Sequence, residues 1–314
     1  MAARSMVFTG PYCGGWGGEM RDATAMKPPK RRSEMAATAN AVSGAPARVF
    51  AMLSHRGRVR HSNQDACAAL PEQGAFVVCD GMGGAAGGEV ASHLATEAFL
   101  ESLAQRACPS PNAATQASVR LAEAMQVANQ AVFRYSRKSP SLYGMGTTLV
   151  ALLWEDAPAG PTVWIAHVGD SRCYRLRSGK LQLLTRDHSL VEEQVRAGVL
   201  NRVQAMASPM RNIITRAIGT QATVEPEIAS YDPQSGDLYL LASDGLSREL
   251  EAAAIARILT HCANPAALAA AHRDSAASGL VLQAALENAC RALIDAANAN
   301  GGHDNITVLL LACT

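Results

Sequence analysis

From residue 49 onward, short apolar runs bounded by turn residues recur along the chain and read as strands. They cover residues 49–53, 67–70, 75–79, 148–154, 162–168, 173–176, 181–184, 224–229, 237–242 and 305–312. Three longer stretches carry a helical period instead. Residues 88–105 place Val90, Leu94, Ala98 and Leu103 near one face. Residues 112–137 set Leu121, Met125, Ala128, Val132 and Tyr135 at spacings that alternate between four and three. Residues 280–297 line up Ala285, Ala289, Ala292, Leu293 and Ala296. Ser110 and Asn112 are available to cap the second helix.

The order is strands, a helix pair, a run of strands, then helices and a last strand. Strands that follow one another without intervening helices argue against a doubly wound parallel sheet. They favour antiparallel sheets with helices packed outside, an α+β layered sandwich. Residues 187–220 break the run of strands with polar, Met-containing and partly helical sequence, as an inserted flap would. Residues 1–46 show no apolar period. They carry Gly14-Gly15-Trp16-Gly17-Gly18 and a basic Lys27-Pro28-Pro29-Lys30-Arg31-Arg32 run, and read as a poorly ordered extension ahead of a domain spanning 47–314.

Composition narrows the classes. With 48% hydrophobic and 18% charged residues in 314, the chain can bury a real core. A net charge of +1 supplies no overall field for nucleic acid or an anionic membrane. No apolar run approaches the roughly 18 residues that span a bilayer, and no secretory signal pattern is visible, so the expected location is the cytoplasm. The eight cysteines form no C-x-x-C pair and read as small buried hydrophobes in a reducing compartment.

Candidate chemistry lies where strands end. Apolar strands run into Asp80-Gly81, Gly169-Asp170-Ser171 and Asp244-Gly245, while Asp304-Asn305 precedes the last strand. In antiparallel pairing the end of one strand lies beside the start of the next, so these acids can meet at one sheet edge. One Asp-Gly alone is a turn. Four such ends, each against an apolar strand, are better explained by a shared hard cation such as Mg²⁺ or Mn²⁺ that relieves their repulsion. The connection from Ser54 to Asp65 adds arginines, among them Arg60, suited to gripping phosphate through two parallel hydrogen bonds.

Together and in this order, Arg60 with Asn63 and Asp65, Asp80-Gly81-Met82-Gly83-Gly84, Gly146-Thr147-Thr148, Gly169-Asp170-Ser171-Arg172, Asp244-Gly245 and Asp304-Asn305 resemble the PPM family. These are the metal-dependent protein serine/threonine phosphatases of the type 2C class, here in bacterial form. The resemblance implies a four-layer α-β-β-α sandwich of two antiparallel sheets flanked by helices, with two Mn²⁺ or Mg²⁺ ions in the cleft between the sheets. Carried over by motif, Asp80 bridges the ions and the Gly81 carbonyl completes one shell. Asp244 and Asp304 hold the first ion, Asp65 acts through a water, and Arg60 clamps the phosphate. A metal-activated water then attacks phosphorus. The implied partners are phosphorylated proteins, such as a serine/threonine kinase or its substrates, met by a monomer with no membrane span and no nucleic acid.

Two departures stand out. Met82 occupies the place where some family members carry a histidine that donates a proton, which leaves water, or less simply His303, as the acid. Family members often hold a third ion with the aspartate matching Asp170 and another at the position filled here by Arg248. The expectation is that Arg248 pairs with Asp170 in that ion's stead. A silent phosphoprotein-binding regulator and a phosphatase of a small phosphometabolite remain alternatives. The intact acids speak against the first.

Overall fold

The computed structural model describes residues 6–8, 48–105, 113–138, 140–157, 160–263 and 276–313. Two antiparallel sheets stack face to face. The first runs in the order β1 (Met6–Phe8), β3 (Asp65–Leu70), β4 (Ala75–Met82), β6 (Leu149–Glu155), β7 (Thr162–Val168) and β10 (Glu227–Tyr231), with β5 (Gly146–Thr147) on the end of β4. The second runs β2 (Val49–His55), β12 (Ile306–Ala312), β11 (Leu238–Ala242), β8 (Arg172–Arg177) and β9 (Lys180–Leu183).

Three apolar layers hold the sandwich together. Alternate residues of the strands point to opposite faces. Phe50, Met52, Cys67, Phe76, Val78, Val150, Leu152, Tyr239, Leu241, Leu309 and Leu311 therefore fill the space between the sheets. The outward face of the first sheet is covered by α1 (Gly84–Gln105) and α2 (Ala113–Ser136). That of the second is covered by α6 (Ala252–Cys262) and α7 (Ala276–Ala299). This is the α-β-β-α order expected from the sequence.

Several expectations shift in register. On α1 Ala91, Ala95 and Phe99 are fully buried, one residue on from the expected Val90, Leu94 and Ala98, which are only partly buried, while Leu103 is buried as expected. Small residues let this helix lie close on β3 and β4. On α2 the stripe from Leu121 to Val132 is buried but Tyr135 is 40% exposed. Strand β10 starts after Pro226 rather than at residue 224, since proline has no N–H to offer a ladder. Both proposed caps of α2 lie outside the described residues. So does the N-terminal extension apart from β1, which pairs antiparallel with β3.

The flap carries two short helices, α3 (Leu190–Arg196) and α4 (Arg202–Ala207), the second opened by a capping box between Asn201 and Gln204. Met206 and Met210 do not fill a core beneath it. They are 75% and 43% exposed, and Ala205 is the buried residue of α4. Cys67, Cys79, Cys173, Cys290 and Cys313 are buried and free, as expected. Cys262 is half-buried, and Cys13 and Cys108 lie outside the described residues. Among the described residues, no helix is long and apolar enough to cross a membrane.

Candidate active site

The acids converge, but from both sheets rather than along one edge. Asp65 opens β3 and faces Asp80 across the β3–β4 ladder. Asp80 lies inside β4, which continues to Met82. Asp170 follows β7 on the same sheet. Asp244 starts α5 (Asp244–Ser247) just beyond β11, and Asp304 precedes β12. Because β11 and β12 pair antiparallel, with Ala242 opposite Val308, those two acids arrive side by side.

Two of the acids, Asp80 and Asp65, are held from behind. The Asp80 backbone N–H donates to Thr148 Oγ1 at 2.9 Å, and its carbonyl accepts from Thr147 Oγ1 and the Thr148 N–H, both at 2.8 Å. The Gly146-Thr147-Thr148 motif is thus the clamp on this residue's main chain. Asp65 Oδ2 accepts from Thr307 Oγ1 at 2.6 Å and Ser243 Oγ at 2.8 Å. With the Thr307 proton spent there, Ser54 donates to Thr307 at 2.7 Å and accepts from Asn63 Nδ2 at 2.7 Å, a relay that ties the Asn63 loop to Asp65. Asn305 Nδ2 donates to the Arg56 and Ser62 carbonyls, and its Oδ1 accepts from the Gln64 N–H, fastening the arginine-bearing connection. Thr307, Ser243 and Ser54 were not singled out from sequence.

The electrostatics are those of crowded carboxylates. Burial first, then neighbouring acids, push Asp65 and Asp170 up to about 7. Burial, with Asp65, Asp244, Asp170 and Asp304 around it, holds Asp80 well above the usual carboxylate range. Burial raises Asp244 too, against the pull of Arg248. Asp65 Oδ1, Asp170 Oδ1 and Asp244 Oδ1 are buried with no hydrogen-bond partner. Buried unpartnered anionic oxygens are costly unless a cation meets them, and an all-oxygen donor set suits a hard divalent ion. The residues present therefore fit the implied metal. Among the described residues, the one trio whose ligand atoms all lie within 4.8 Å of one another is not drawn from these acids.

That other trio is His167, His188 and Glu227. His188 Nδ1 accepts from the Gly169 N–H at 3.2 Å, which puts the ring proton on Nε2, facing Glu227 at 3.4 Å. His167 Nε2 lies 2.7 Å from the Arg186 carbonyl and 3.3 Å from the Arg186 backbone nitrogen. The rings of His167 and His188 stack, linking the flap's first residues to β7.

Two arginines enter the basin. Arg60, half exposed, donates from Nη2 to Asp304 Oδ2 at 2.7 Å. Arg248 does not pair with Asp170 alone. Its closest partner is Asp244 Oδ2, one helical turn back, and it lies 3.8 Å from both Asp170 Oδ2 and Asp304 Oδ2. Arg172 of the Gly-Asp-Ser-Arg motif forms a two-pronged pair with Asp187 at 2.9 and 2.7 Å, anchoring the flap. His303 is turned onto Glu249 at 2.7 Å.

A family model described as Protein phosphatase 2C matches residues 54–287. The serine/threonine phosphatase stp of Listeria monocytogenes serotype 4b is 36% identical over 259 residues, 82% of this chain and 92% of the relative. The solved serine/threonine phosphatase PstP/Ppp of Mycobacterium tuberculosis superposes with a TM-score of 0.67 at 32% identity, covering 84% of this chain and 97% of that one. The catalytic domain of PstP in complex with two manganese ions gives a TM-score of 0.64 at 30% identity, over 84% and 96% of the two chains.

Proposed function

Because this chain belongs to the protein phosphatase 2C family, we propose that its acidic basin is the catalytic centre of a metal-dependent protein phosphatase that hydrolyses phosphoserine and phosphothreonine. The observation that carries the assignment is the meeting of five carboxylates from two sheets, three of them with a buried oxygen that has no partner. Asp80, the Gly81 carbonyl, Asp244 and Asp304 are the residues that would hold two Mn²⁺ or Mg²⁺ ions, with Asp65 reaching them through water and Asp170 at the margin. Bound there, such ions lower the pKa of water and neutralise charge on a phosphoryl group.

The chain's own groups do the rest. Arg60 spends one guanidinium nitrogen on Asp304 and keeps its other donors for phosphoryl oxygens, which it orients toward the basin. Thr307 and Ser243 keep Asp65 Oδ2 occupied, so that its Oδ1 alone faces inward. Met82 offers no proton, so the leaving serine or threonine oxygen takes its proton from water, and His303, held through Nδ1 by Glu249, is the alternative donor through Nε2. Cys67 and Cys79, on the strands that carry Asp65 and Asp80, are not nucleophiles: burial pushes both thiols up to about 12.

The partners are phosphorylated proteins, a serine/threonine kinase or its substrates among them. The flap at 187–220, pinned by Arg172–Asp187 and carrying exposed Val203, Met206 and Met210, selects among them. Hydrolysis of a phosphothreonine peptide, compared with a small phosphometabolite, tests the substrate class. Peptide turnover that requires Mn²⁺ and falls about 10²-fold or more in Asp80→Asn is expected. Preference for the metabolite would move the enzyme to another substrate class. Peptide binding without turnover would make it a regulator.

A further inference from the structure

Arg248 brings a fixed positive charge into the place where the acids meet. The residue follows α5 directly, its N–H bonded to the Asp244 carbonyl at 2.8 Å, so the side chains of Asp244 and Arg248 share one helical face. The guanidinium is planar, carries five donors and stays charged at any working pH. It addresses Oδ2 of Asp244, Asp170 and Asp304 together. The other oxygens divide differently. Asp170 Oδ1 and Asp244 Oδ1 are left without partners, while Asp304 Oδ1 accepts from the Asn305 N–H at 2.8 Å. A divalent ion approaching Asp244 and Asp304 therefore meets carboxylates already engaged by an arginine.

Resting on the assignment of this basin to divalent ions, we propose that Arg248 is a resident cation that competes with those ions for Asp244 and Asp304 and keeps Asp170 for itself. Once ions occupy Asp244 and Asp304, Asp170 is the acid left to the guanidinium, which then stays paired within the basin. Two consequences follow. The protein takes up its ions more weakly than it would without this charge. Asp170, neutralised by a side chain, is withheld from any further ion, which a carboxylate at position 248 would release by turning the arginine's place into an acidic pocket.

The test is calorimetric titration of Mn²⁺ into the chelator-stripped full-length protein, with bound ion counted independently by the Mn²⁺ paramagnetic resonance signal. The native protein is compared with Arg248→Lys, Arg248→Gln and Arg248→Asp. Arg248 is one-third exposed, so these variants are expected to fold, and their thermal transitions check it. The uncharged Arg248→Gln is expected to bind its tightest ion about tenfold more strongly, the scale of one lost charge contact. Arg248→Lys stays near native, and Arg248→Asp binds one more ion. Equal affinity in the native protein and Arg248→Gln overturns the competition. An unchanged ion count in Arg248→Asp overturns the claim on Asp170. Failure of the native protein to bind Mn²⁺ at all overturns the metal assignment itself, a result distinct from either.

Discussion

Asp65 and Asp80 stand directly opposite each other across the β3–β4 ladder, two acids on one rung. Like charges at such a position repel and destabilise an antiparallel pair. The structure answers by giving Asp65 two hydroxyl donors, Thr307 from β12 and Ser243 from the end of β11. The second sheet thus stabilises an acid of the first, and the cleft between the sheets becomes a single electrostatic unit.

Replacing Thr307 by valine keeps the shape and removes one donor. Mn²⁺ affinity and turnover are expected to fall by roughly 10–100-fold, as for other groups that orient a metal ligand from behind. Titration calorimetry and phosphopeptide kinetics on the same preparation check it, and a native-like affinity would show that Asp65 needs no such support.

The raised carboxyls set the pH dependence of the metal-free protein. Asp65 and Asp170 rise from an ordinary 3.8 to about 7, so between those values the folded chain holds protons that the unfolded chain has released. Stability must then fall as pH rises through that window. Thermal unfolding in the presence of a chelator is expected at a lower temperature at pH 8 than at pH 5, and Mn²⁺ is expected to restore most of the loss at pH 8.

Gly81 is required by space. A β-carbon there would lie 2.0 Å from the Gly88 carbonyl oxygen and 2.5 Å from that of Gln64, both backbone atoms that cannot swing aside. Gly81→Ala is expected to cost about 1–3 kcal/mol in denaturant unfolding, the range for an overfilled site. Ion binding should weaken with it, because the displaced main chain carries Asp80.

Arg60 acts on substrate more than on stability. Its side chain is half exposed and its ion pair with Asp304 lies at the surface of the basin, where such pairs contribute little to folding. Arg60→Ala is expected to leave the melting temperature nearly unchanged while raising KM for a phosphopeptide about tenfold or more.

Much of this was legible in the sequence, for identifiable reasons. Strands such as Thr162–Val168 are short apolar runs with clear ends, and each main acid sits beside a glycine, serine or asparagine at such an end. Thr307 was not legible, because a threonine inside Ile306–Ala312 looks like any β-branched strand residue. Its hydroxyl matters through contacts 242 and 253 positions away in sequence, to Asp65 and Ser54. The face of α1 was misread by one position: Val90, Leu94 and Ala98 repeat every four residues, but so do Ala91, Ala95 and Phe99 beside them, and it is the second row that is buried. Arg248 was recognised as out of place, yet its reach to three acids depends on the spacing of α5, β7 and β12, which no local pattern encodes.

The most direct measurement is anomalous diffraction from Mn²⁺-soaked crystals of the native protein. Two peaks are predicted, both within coordination distance of Asp80, with Asp244 and Asp304 on one of them. A map with no anomalous density at Asp80, or with manganese bound only elsewhere, would contradict the assignment of this basin as the metal centre.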